Sequence, residues 1–122
     1  MNEPILFNPA AIERLLKLGG QKFALEMIDL FGSYGDKILG EARTACAAGN
    51  LTALANAAHP LRSSAGNLGA VRLQDLATQV EASARAQNAA QAGKEFLEME
   101  CAFAEAKVIL AAERVRLTQP PA

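Results

Sequence analysis

The chain has 122 residues, of which 51% are hydrophobic and only 5% aromatic. That is enough for one domain with a modest core, and the abundance of alanine and leucine with few β-branched residues favours packed helices over a sheet. Twelve basic and thirteen acidic residues leave a net charge of -1. This excludes the strongly basic surface that nucleic-acid binding requires. No apolar run is long enough to span a bilayer. The start, MNEPILFNPA, lacks the basic head and long apolar stretch of a signal peptide, so a cytoplasmic location is expected.

The first helical segment is punctuated by Asn8 as cap, Pro9 at its first position and Gly19-Gly20 at its end. Phe7 and Ile12 are spaced as a hydrophobic staple across its start. A second segment runs from about Gln21 to Ala48, with Gly49 as its stop. In it Ala24, Ile28, Phe31, Gly35, Ile38, Ala42 and Ala45 alternate three and four apart, which marks one buried stripe. Gly35 lies on that stripe and reads as a point of close helix approach. A third segment follows Asn50, with Leu51, Leu54, Ala58, Leu61, Ala65 and Leu68 inward, and closes at Gly66 and Gly69.

A fourth segment spans about Ala70 to Ala86, with Leu73, Leu76, Ala77, Val80 and Ala84 inward. The fifth spans about Asn88 to Leu117 on the stripe Ala92, Phe96, Met99, Phe103, Ala106 and Leu110. Short connections make sequential neighbours antiparallel. The expected fold is therefore all-α: an antiparallel four-helix bundle with a short additional N-terminal helix, one domain over residues 1–122. A short disordered tail is expected at about 118–122. Cys46 and Cys101 sit in alanine-rich helical pattern and are read as two buried free thiols, with a disulfide as the alternative. One histidine and two isolated cysteines offer no metal-ligand spacing, so no metal site is expected.

The single histidine, His59, lies in NAAHPLRSSAGNLGA. At about 100° per residue it falls roughly 130° from the centre of the third segment's stripe. It therefore points to solvent or to the helix flank. Ser63 and Gly66 follow one and two turns on and leave room for a partner. Arg62 stands within reach of the imidazole and suits an anionic group. An isolated exposed histidine is more often just a solvated side chain. Yet a neutral imidazole is a good nucleophile near neutral pH, and beside a fixed cation it could accept a phosphoryl group. Pro60 removes the donor for the Asn56 carbonyl, so a local kink or a solvated carbonyl is expected there.

The stretch resembles the histidine phosphotransfer (HPt) domain family, whose helix reads roughly H-x-L-K-G-S-x-x-x-L-G-A. His59, Leu61, Ser64, Leu68, Gly69 and Ala70 match in identity and register, while Arg62 replaces the usual lysine and Ser63 the commonest glycine. FGSYGDKIL and LQDLATQVE also resemble the helices on either side of that motif. The resemblance implies a phosphorelay carrier, not an enzyme. His59 would take a phosphoryl group on Nε2 from the aspartyl phosphate of a receiver domain and pass it to another receiver. Receivers and a hybrid sensor histidine kinase are the implied partners.

The carrier would need no cofactor of its own, since Mg²⁺ belongs to the receiver. Arg62 would take the family lysine's role beside the phosphoryl group. Glu81 stands where the family often has a glutamine or glutamate that hydrogen-bonds the ring; an ordinary solvated acid is the alternative. The expected partner surface is the outer face of the second and third segments, with Ser63, Gly66 and Asn67 exposed. A monomer is expected, and Met1 with the tail suggests a freestanding protein over a fragment of a hybrid kinase. The competing reading is a non-phosphorylated binding module or receiver inhibitor on the same scaffold.

Overall fold

The computed structural model describes residues 6–119, in which every regular element is an α-helix. They are α1 (Ala10–Ala47), α2 (Leu51–Asn67), α3 (Val71–Arg85) and α4 (Ala89–Thr118). Each packs on its neighbour in the chain, and α1 also packs on α4, which closes the ring of a four-helix bundle. The expected short N-terminal helix is the first stretch of α1. The backbone breaks at Gly20, whose φ of 80° and ψ of -173° lie outside the helical region. Only glycine adopts that conformation without strain, so the Gly19-Gly20 stop is a change of direction and not an intervening loop.

The caps follow the sequence closely. Pro9 has helical dihedrals, and the Asn8 side chain accepts from the N–H of Ala10 at 3.1 Å. Asn50 caps α2 by accepting from Ala53 N–H at 3.0 Å, and Asn88 caps α4 by accepting from Gln91 N–H at 3.2 Å. Gly49 and Gly69 take φ of 68° and 78° to end α1 and to turn from α2 into α3. Gly69 also sits against the start of the chain: its carbonyl accepts from Asn8 N–H at 2.8 Å. This tie holds the N-terminal segment across the turn that follows α2.

The inward stripes meet in one core. Ile12, Leu54, Leu61, Leu68, Leu73, Val80 and Met99 are its largest fully buried side chains. Phe7 packs against the same cluster, which contains its expected staple partner Ile12. At Gly35 an added Cβ would lie 2.3 Å from Cε1 of Phe103, so the glycine marks close approach of α1 and α4. Phe103 stacks at a tilt against Phe31, with centroids 5.7 Å apart.

Three expectations need correction. Both cysteines are free, but Cys46 is only half-buried and Cys101 is exposed, because Cys101 falls on the outward side of α4. Gly66 lies inside α2 and does not end it by a change of backbone; the positive φ of the turn is taken by Gly69, whose N–H donates to the Gly66 carbonyl. Thr118, placed in the expected tail, is the last residue of α4, while residues 120–122 lie outside the described residues. Among the described residues no helix is long and apolar enough to cross a membrane.

Candidate functional site

His59 sits near the middle of α2, on the side turned toward α3, with 61% of its side chain exposed. Helix α2 passes through Pro60 without interruption, so the proline does not break the helix, and Asn56, whose carbonyl it leaves without a helical donor, is an exposed residue. Facing the ring from α3 is Glu81, one of the buried charged residues of the molecule at 8% exposed. Its carboxylate is fully engaged. Oε2 lies 2.8 Å from Nδ1 of His59, and Oε1 accepts from Nη1 of Arg62 at 2.9 Å. Arg85, one turn further along α3, donates Nε and Nη2 to Oε2 at 3.1 and 2.9 Å.

The electrostatics follow from this geometry. Burial by itself favours the neutral acid of Glu81, but hydrogen bonds from Arg62, Arg85 and His59 outweigh it and hold the carboxyl below its ordinary value of 4.5. An ionised carboxylate only accepts hydrogen bonds. In a neutral ring beside it, Nδ1 therefore carries the proton and Nε2 keeps its lone pair. The ring is thereby oriented as a nucleophile. The depression around it is lined by His59, Arg62, Ser63, Gln74, Asp75 and Thr78.

The structure brings His59, Arg62 and Glu81 into contact, and Glu81 is a buried, hydrogen-bonded carboxylate and not a solvated acid. Ser63 and Asn67 are exposed as expected. Gly66 is not: it is half-buried, and an added Cβ there would lie 2.6 Å from Nε2 of Gln74. The glycine makes room for the end of a side chain of α3. Arg85 was missed. The signal available was its i,i+4 spacing from Glu81, which becomes informative only once Glu81 is known to face the histidine. Among the described residues no group of three His, Cys, Asp or Glu side chains is placed to hold a metal ion.

A second surface lies between α1 and α2, which leave a mostly apolar groove. Met27, Leu30, Phe31 and Tyr34 line it from α1, Ser64 and Asn67 from α2, and Leu68 from just beyond α2. Leu30 on this surface is 58% exposed.

The sequence profile of the family described as Hpt domain matches residues 26–115, which include the second part of α1 and the helices that hold His59 and Glu81. The chain belongs to the Hpt domain family. Its fold is similar to that of histidine-containing phosphotransfer protein B (HptB) from Pseudomonas aeruginosa PAO1. The TM-score is 0.86 at 24% identity, with 93% of this chain and 98% of that one covered. No curated protein matches the chain. Membership makes this a histidine phosphotransfer protein of phosphorelay signalling, and His59 is its sole histidine.

Proposed function

We propose that His59 is the phosphorylated residue. On this reading it takes the phosphoryl group from the aspartyl phosphate of one receiver domain and returns it to the aspartate of another. The observation that carries the reading is the exposed ring with Nδ1 held 2.8 Å from the buried Glu81 carboxylate. In the step, the Nε2 lone pair forms a bond to phosphorus as the bond to the aspartyl oxygen breaks. The receiver's carboxylate leaves, and the Nδ1 proton stays in place. The ring then carries positive character that Glu81 stabilises. Arg62 lines the same depression and offsets the charge that arrives with the phosphoryl group. Mg²⁺ would be supplied by the receiver.

Partner docking uses the face around His59, with Ser63 and Asn67 at the edge and the groove of Met27, Leu30 and Tyr34 as its apolar part. A sensor kinase carrying a receiver domain would dock on the same face. Incubation with a receiver domain phosphorylated by acetyl phosphate should give an acid-labile, alkali-stable label on this protein. His59→Gln should abolish it. A label that persists in His59→Gln, or full signalling activity in cells that carry only this variant, would overturn the assignment.

A further inference from the structure

We propose that the two arginines on Glu81 have separate tasks: Arg62 leaves the carboxylate to bind the phosphoryl group on His59, while Arg85 stays and keeps Glu81 compensated. The inference deepens the reading of His59 as the phosphorylated residue and rests on it. Three observations carry it. The first is how the oxygens are shared. Arg62 holds Oε1, whereas Arg85 and the ring of His59 share Oε2. Arg62 can therefore depart without disturbing the oxygen that orients the ring.

The second is placement. Arg62 lines the depression around His59 and Arg85 does not. Arg62 hangs from α2 one turn beyond His59, so its guanidinium reaches either Glu81 or a group on the ring. Arg85 is anchored on the same helix as Glu81, with Nε and Nη2 on one oxygen and Nη2 also 3.5 Å from Oδ1 of Asn56. The third is charge. The exposed carboxylate of Asp75 lines the same depression, so a phosphoryl group there meets one anion in addition to Glu81. Arg62 is the only cation among the residues lining it.

Without Arg85, Glu81 would depend on Arg62 for its countercharge. The carboxylate and the phosphoryl group would then compete for a single guanidinium. A glutamine at position 81 would remove that competition, because an amide needs no countercharge. Arg85 is thus a positioning residue that acts through Glu81, and its effect should vanish when the carboxylate does.

The test uses the intact protein with potassium phosphoramidate, which phosphorylates imidazole directly with loss of ammonia and requires no receiver. The Nε–Hε NMR signals of Arg62 and Arg85, assigned by substitution, are followed during the reaction. The Arg62 signal should move and the Arg85 signal should stay. Movement of Arg85 with Arg62 unchanged would overturn the proposal. Arg85→Gln should lower the phosphoryl occupancy at fixed donor by about tenfold, within the range for residues coupled in one ion-pair network, and Arg85→Lys should recover most of it.

In the Glu81→Gln background, Arg85→Gln should change occupancy less than twofold. An equal loss in both backgrounds would mean that Arg85 acts directly on the phosphoryl group, and would also overturn the proposal. Circular dichroism of each variant separates misfolding from loss of occupancy, and Arg85→Lys remains informative if Arg85→Gln unfolds. If phosphoramidate labels His59 but no phosphorylated receiver does, the phosphorelay reading fails while the division between the arginines is still decided.

Discussion

Glu81 is a carboxylate buried between two helices yet ionised, and that single fact organises the residues around it. Its ordinary carboxyl value is lowered in the folded chain, since the hydrogen bonds from Arg62, Arg85 and His59 outweigh burial. The sign of the consequence follows from linkage. The contribution of Glu81 to stability is fully present above its unfolded value of 4.5 and is lost as pH falls through the lowered folded value. Glu81→Gln should therefore flatten the acid limb of stability. Urea unfolding from neutral pH down through the carboxylate range would show it, and an unchanged slope would contradict the role assigned here. Asp29, held below its ordinary value chiefly by Arg114, adds a slope of the same sign that survives the substitution.

For transfer itself, Arg62→Ala should slow labelling of His59 by on the order of 10²-fold, as for loss of one preorganised charge-stabilising donor. Arg62→Lys should retain most of the rate, since lysine is what the family motif usually carries at that place. Single-turnover transfer from a phosphorylated receiver would measure both.

The helices show where small residues are required and where they are not. A Cβ at Gly35 would meet the ring of Phe103 at 2.3 Å, and Phe103 is itself packed against Phe31. Overpacking of this kind costs about 1–3 kcal/mol, against a helix-propensity gain of about 1 kcal/mol for alanine over glycine. Gly35→Ala should therefore destabilise the bundle. Gly32 and Gly40, on the same helix, would place a Cβ in open space. Gly32→Ala and Gly40→Ala should each stabilise by up to about 1 kcal/mol. Thermal unfolding of the three variants tests the contrast in sign. Gly69 is doubly fixed: its φ is 78°, and a Cβ would lie 2.3 Å from the carbonyl oxygen of Asn8. Gly69→Ala would strain the turn and push away the N-terminal segment that it ties.

Across the whole molecule the ring of contacts separates two sides. The α2–α3 side carries the histidine and its buried carboxylate. The α1–α4 seam carries exposed ion pairs, Asp29–Arg114, Asp36–Lys107 and Arg43–Glu100, of a kind that contributes little to stability. The docking face proposed above joins the first side to the apolar groove between α1 and α2, which Leu30 lines. Leu30 is exposed there, so Leu30→Glu should leave the unfolding temperature almost unchanged. It should still raise the receiver concentration needed for half-maximal transfer, by roughly tenfold for an apolar contact near the centre of an interface. Stopped-flow transfer against receiver concentration distinguishes this from a loss of chemistry.

The amino-acid sequence by itself determined what depends on local periodicity. Helix positions, caps at Asn8 and Asn50, and the inward stripes all follow from local signals along one chain segment, because burial repeats every three to four residues and asparagine marks the helix starts. The motif around His59 also places the histidine outward for the same reason. Only the tertiary structure decided which side chains meet across helices. His59 and Glu81 are 22 residues apart and face each other through the α2–α3 packing, which also brings Arg62 and Arg85 to opposite oxygens of one carboxylate. The contact of Gly66 with Gln74 and the exposure of Cys101 were likewise set by neighbouring helices or their absence. Periodicity fixes which face of a helix turns inward; the partner that each side chain meets there depends on the azimuth and height of the next helix.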